Sequence, residues 1–169
     1  DIANNYIARC YIIFSAKIIM KITRAFAYPV FDSRGMPTVA VKLSSDTVNA
    51  LGMSPSGASA GSHEAFEMRD GGETFQGKNV LKAVQQFNEI VVPKILKIEN
   101  YTQQEFDVLL RTVDGTNNFT RIGGNTAIAA SIAYLRLAAN VGQVEPYVRI
   151  RDSWGIKTSS GDHVITPLV

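Results

Sequence analysis

Thr38-Val39-Ala40-Val41-Lys42-Leu43, which follows a Gly35-Met36-Pro37 turn, sends successive side chains to opposite faces. That period of two is the signature of a strand with one face on a core. Working outward, Ile22 to Phe31 is rich in β-branched and aromatic residues and reads as the preceding strand. Thr47 to Met53 is a third, weaker run. The gaps are short, so the three strands are expected to form an antiparallel meander. The period then changes. Val80, Leu81, Val84, Phe87 and Val91 recur at helical spacing, and Pro93 is expected to end that helix. Thr102-Gln103-Gln104-Glu105 has the form of a capping box, with Phe106, Leu109, Leu110 and Val113 as the buried stripe behind it. Asn125 is placed to cap a third helix running to about Ala139, with Asn140 and Gly142 as stop signals. Its many small residues suit close packing. Strands first and helices after define an α+β fold: a three-stranded antiparallel meander followed by a helical layer. Pattern fades after Tyr147.

A chain of 169 residues can bury a real core as one domain. Its 46% hydrophobic and 19% charged residues are those of a folded globular protein, not a disordered one. The net charge of +2 is small, and no Lys/Arg block is interleaved with aromatics, so nothing points to nucleic acid. Cys10 is the only cysteine, which excludes an intrachain disulfide and fits a reducing, cytoplasmic setting. The sequons at Asn100 and Asn118 are then fortuitous. Residues 1–20 read as an unpatterned extension whose apolar runs are too short to span a bilayer. Met20-Lys21-Ile22 would make a natural start. The residues before it are therefore expected to be upstream read-through or part of a truncated gene model rather than a targeting segment.

The stretch Ser54-Pro55-Ser56-Gly57-Ala58-Ser59-Ala60-Gly61-Ser62-His63-Glu64-Ala65 has almost nothing to pack and cannot be core. Gly57 and Gly61 let the backbone approach another group closely. Ser56, Ser59 and Ser62 offer oxygens to a hard cation or a phosphate, as a mobile lid would. Taken alone, such a stretch is more often a plain linker.

Its neighbours alter that reading. Asp32-Ser33-Arg34-Gly35 lies upstream. Downstream come Glu64-Ala65-Phe66-Glu67-Met68-Arg69-Asp70-Gly71, Gly77-Lys78-Asn79-Val80, Asp114-Gly115-Thr116 and Ile122-Gly123-Gly124-Asn125-Thr126. In this order and spacing, from about Ile22 to Ile150, the chain resembles the N-terminal domain of the enolases (phosphopyruvate hydratases). An unrelated α+β domain would need five ordered motifs to coincide. The resemblance divides the chain into an extension at 1–20, the enolase-like domain at 21–150, and a linker at 151–169 toward a barrel that is missing.

The resemblance implies a lid formed by Ala58, Ser59 and His63. Ser59 would bind the second Mg²⁺ through its hydroxyl and carbonyl oxygens as the lid closes. It also implies the family reaction, 2-phosphoglycerate to phosphoenolpyruvate and water, and a homodimer. The base, the assisting glutamate and the ligands of the first Mg²⁺ are expected on a C-terminal barrel of about 250 residues, so this chain alone should be inactive. The alternative is a stand-alone, non-catalytic enolase-like module for binding or regulation. Four positions depart from the family's habit. Ala60 stands for Thr, Met36 for Asn, Tyr28 for Arg and Ala40 for Glu, the last two near the dimer contact.

Other polar groups carry two readings each. His63 could handle a proton or meet a phosphate, or could simply bond loop backbone. His163 reads as incidental. Arg34 could reach an anion, or could pair with an acid of a neighbouring domain beside a turn made by Asp32 and Ser33. Glu64, Glu67, Arg69 and Asp70 open with helix-like spacing and read as a solvated or interdomain face. Gly77-Lys78 and Gly123-Gly124-Asn125 read as turn and cap chemistry, not phosphate cradles.

Overall fold

A computed structural model of the chain describes residues 20–57, 61 and 64–155. Strands β1 (Arg24–Phe31), β2 (Pro37–Ser44) and β3 (Asn49–Met53) form an antiparallel sheet in sequence order. Ala27 pairs with Val41, and Val41 with Gly52; Tyr28 pairs with Ala40, and Ala40 with Met53. Helical segments follow: α1 (Leu81–Gln86), a π-helical turn (Phe87–Val91), α2 (Val92–Ile95), α3 (Gln103–Asp114), α4 (Gly124–Val141) and α5 (Pro146–Ser153). This is the expected α+β order, and no barrel occurs among the described residues.

One face of the sheet carries Ala27, Val39, Val41, Leu43 and Ala50 into the core, where α4 lies across β2 and β3. The approach is close because Gly52 has no side chain. A Cβ there would sit 2.5 Å from the Ala133 nitrogen and closer still to the Ala129 carbonyl oxygen. Phe106 and Tyr134 stack at 4.0 Å and join α3 to α4. The Tyr134 hydroxyl donates to the Tyr101 carbonyl at 2.6 Å, so burial of the ring leaves no orphaned polar atom there. The opposite face of the sheet carries Phe26, Tyr28 and Met53. Phe26 and Met53 are exposed, and Phe26 and Tyr28 lie 5.5 Å apart, ring to ring.

Three expectations change. Pro93 does not end its helix, because α1 runs through the π-helical turn into α2 and stops at Ile95. Proline lacks an N–H and presses on the carbonyl four residues back. The wider turn just before it and its place in the first turn of α2 accommodate both defects. Tyr147 and Arg151, expected where pattern fades, lie within helix α5. That helix and its C-cap bear exposed Tyr147, Ile150 and Trp154 at i, i+3 and i+7. Met20 is 5% exposed and packs into the core, so the domain takes in the last residue assigned to the extension.

The capping box is present as expected. Glu105 N–H donates to the Thr102 hydroxyl, and Thr102 N–H to the Glu105 carboxylate. At the other end of α3, Asp114 is 1% exposed and organises the loop that follows. Its carboxylate accepts from the N–H groups of Thr116, Arg121 and Ile122, each at 2.9 Å, and from the Thr116 hydroxyl. Burial pushes its carboxyl up, but these four donors outweigh burial and hold it below the ordinary range.

Two outcomes follow. Gly52→Ala should cost at least the ~1–3 kcal/mol usual for overpacking, measured by urea unfolding. A depressed Asp114 contributes stability that is full above the unfolded value of about 3.9 and is lost as pH falls through its lower folded value. Asp114→Asn should therefore be less stable at pH 7 by ~1–3 kcal/mol and show a flatter loss of stability below pH 4 in acid titrations.

Candidate functional site

The Ser/Gly segment is fixed at the stem where it leaves the sheet. Ser54 N–H donates to the Val39 carbonyl at 2.9 Å, and the Thr38 hydroxyl donates to the Ser54 carbonyl at 2.8 Å. Both side chains are buried. Ser56 is then held by two guanidinium groups. Arg34 Nη2 donates to its carbonyl at 2.6 Å, and Arg69 Nη2 to its hydroxyl at 3.1 Å. Arg34 is aimed by the turn expected at Asp32. Asp32 Oδ1 accepts from Arg34 N–H and Met36 N–H, each at 2.8 Å. The Met36 N–H is the main reason the Asp32 carboxyl lies below its ordinary value, followed among the lowering causes by the Arg34 N–H and charge. Arg34 thus serves loop backbone, with Asp32 at 3.6 Å as a nearby acid.

The second stem is a strap without helical hydrogen bonding, contrary to the helix-like spacing of Glu64 to Asp70. Its polar groups are satisfied from outside, so a local helix offers it nothing. Phe66 N–H donates to the Asn118 carbonyl, and Gly124 N–H to the Phe66 carbonyl, both at 2.7 Å. Asn125 does not cap α4. It lies inside the helix, buried, and its amide pairs with Met68 in both directions, at 3.3 and 3.0 Å. The N-cap is Gly123, at φ 85°. A Cβ there would fall 2.5 Å from Asn125 Oδ1 and 2.9 Å from Met68 Cβ, which explains the glycine.

Arg69 and Asp70 end the strap. Arg69 Nη1 donates to the Pro37 and Lys78 carbonyls, both at 2.6 Å, while Nη2 meets Glu67 at 2.6 Å as well as Ser56. Asp70 carboxylate oxygens accept from Leu81 and Lys82 N–H at 3.0 and 2.8 Å, and so cap α1 from a distance. Glu67 and Asp70 serve different partners, Arg69 and the first turn of α1. Neither the four-way role of Arg69 nor the backbone role of Asn118 was legible in advance. Arg69 stood in a motif read as a face, and Asn118 in a fortuitous sequon.

Between the stems lies an open cleft of about 840 Å³, lined by Arg34, Ser56, Gly57, Gly61, Phe66, Asn118 and Ile128 among others. Phe66 and Ile128 are 44% exposed each and give it an apolar wall. Ala58, Ser59 and His63 lie outside the described residues. Among those described, no group of three His, Cys, Asp or Glu side chains could hold a metal ion. Both oxygens of Ser56 already accept from guanidinium groups. The described residues by themselves therefore do not fit a Mg²⁺ site. No single described helix is long and apolar enough to cross a membrane.

Helices backing a three-stranded meander, with a Ser/Gly segment held at both stems beside a cleft, define a small α+β domain. A family model described as the enolase N-terminal domain matches residues 22–150, and the chain belongs to the enolase family. It is 44% identical over 144 residues to the enolase of Malacoplasma penetrans, covering 79% of this chain and 32% of that protein. It is 49% identical over 115 residues to the enolase of Campylobacter jejuni, covering 67% and 28%. With the enolase of Thermococcus gammatolerans the figures are 41% over 120 residues, covering 71% and 28%. The chain thus spans about a third or less of the length of these relatives.

Asn125→Ala removes both bonds to Met68 and leaves backbone polar groups without partners. We expect a loss of ~1–3 kcal/mol in urea unfolding, with faster hydrogen exchange at the Met68 amide.

Proposed function

We propose that the chain works as the N-terminal domain of an enolase. In that role it supplies the lid over a barrel-borne site and part of the dimer contact for the conversion of 2-phosphoglycerate to phosphoenolpyruvate and water. The observation that carries this reading is the match over residues 22–150 together with a Ser/Gly segment whose two stems are fixed beside a cleft. Pinned stems let a short stretch move between two positions without disturbing the fold, which is what a closing lid requires. Ser59 would supply oxygen to the second Mg²⁺, and Ala58 and His63 would border the substrate. The proton-abstracting base and the first metal site belong to the barrel, so the chain alone is inactive. Its setting is the cytoplasm, and its partners are the barrel and a second copy of the enzyme.

Dehydration of 2-phosphoglycerate with Mg²⁺ should be undetectable for the chain alone and appear when it is mixed with a separately expressed enolase barrel. Ser59→Ala should lower that activity on the order of 10-fold or more. Activity of the chain alone would overturn the division of labour. A mixture no more active than the barrel by itself would favour a non-catalytic module.

A further inference from the structure

We infer that Arg69 is a positioning residue for the Ser/Gly segment: one guanidinium ties the stem that enters the segment to the strap that leaves it. This rests on the lid reading proposed above. The geometry is particular. Arg69 sits on the strap, five residues after Glu64, yet it reaches the hydroxyl of Ser56, the last residue before Gly57. Its other nitrogen bonds the Pro37 and Lys78 carbonyls, which belong to the start of β2 and to the turn before α1. Glu67, two residues back on the strap, supplies the fourth acceptor and the countercharge at 2.6 Å. The Arg69 side chain is only 18% exposed, so these bonds are poorly screened by water.

Ser56 is gripped a second time, through its carbonyl, by Arg34 from the Asp32 turn. Four separate pieces of chain therefore converge on one serine and one arginine. The consequence is that the ends of the Ser59 segment keep a fixed separation while its middle is left to small residues. Preorganised ends place the oxygens of a short loop far more accurately than free ends would. A lysine could not replace Arg69, because a compact ammonium cannot reach acceptors spread along a planar fork.

The test is backbone order from nitrogen-15 relaxation on the 169-residue chain. In the wild type, Ser56 should approach the value of rigid backbone, about 0.85. Arg69→Gln should lower Ser56 and Gly57 below about 0.6 while β2 and β3 stay rigid. Arg69→Lys should resemble Gln rather than arginine, and Ser56→Ala should give a smaller drop at the same two residues. Thr102→Ala, which removes the distant α3 cap, is the control for general destabilisation and should leave both residues unchanged. No drop in Arg69→Gln, full rescue by lysine, or an equal drop in Thr102→Ala would overturn the pin. Activity of the chain–barrel mixture separates the two proposals. If Ser59→Ala is silent while Arg69→Gln loosens the stem, the pin exists but positions nothing catalytic. If Ser59→Ala is damaging while Arg69→Gln lowers neither order nor kcat, the lid stands and the positioning role of Arg69 falls.

Discussion

The close seating of α4 on the sheet at Gly52 is the constraint on which the other features depend. With no side chain at that point, the backbone of α4 near Ala129 and Ala133 comes against β3. That contact fixes the axis of an 18-residue helix, and with it the place of the helix start. The helix start carries Gly124 and Asn125, which between them hold the strap at Phe66 and Met68. One glycine in a strand thus sets where the exit stem of the Ser/Gly segment can lie. The entry stem is set by the same sheet, because Ser54 is bonded to Val39 on β2.

Charge finishes what packing begins. Three charged groups near the cleft spend most of their bonds on backbone. Asp32 gathers two N–H groups, Asp70 caps α1, and Arg69 satisfies two carbonyls. Asp114 does the same for the loop that presents Asn118 to the strap. A segment lacking regular secondary structure must find partners for its polar groups somewhere. Here short acids and long arginines provide them. The resulting network holds both stems of the Ser/Gly stretch.

The regular elements were plain in the sequence because each announced itself by period. The β2 alternation, the Thr102–Glu105 capping box and the apolar face of α3 are local patterns with local causes. Pro93 misled because its effect depends on the helical turn before it, and the π-helical turn at Phe87–Val91 has no sequence mark of its own. Asn125 misled for a related reason. Asparagine before an apolar run is a sound cap signal, but the carbonyl and N–H of Met68, 57 residues away, offered it a better pair of partners. Arg69 was invisible for the same cause in stronger form, since three of its four acceptors, Pro37, Ser56 and Lys78, are brought to it by the fold. The departures at Tyr28 and Ala40 gain meaning from the structure. They are direct partners across β1 and β2, so the two changes fall on one spot of the outer sheet face.

The proposed role requires that the cleft between the stems face an enolase barrel. Titrating the nitrogen-15-labelled chain with a separately expressed, unlabelled enolase barrel tests it most directly. The expected result is a saturable shift or broadening of the amides of Ser56, Gly57, Phe66 and Ile128, with Val108 on the exposed side of α3 unmoved. Saturable perturbation centred on Val108, or none at the cleft at any barrel concentration, would contradict it.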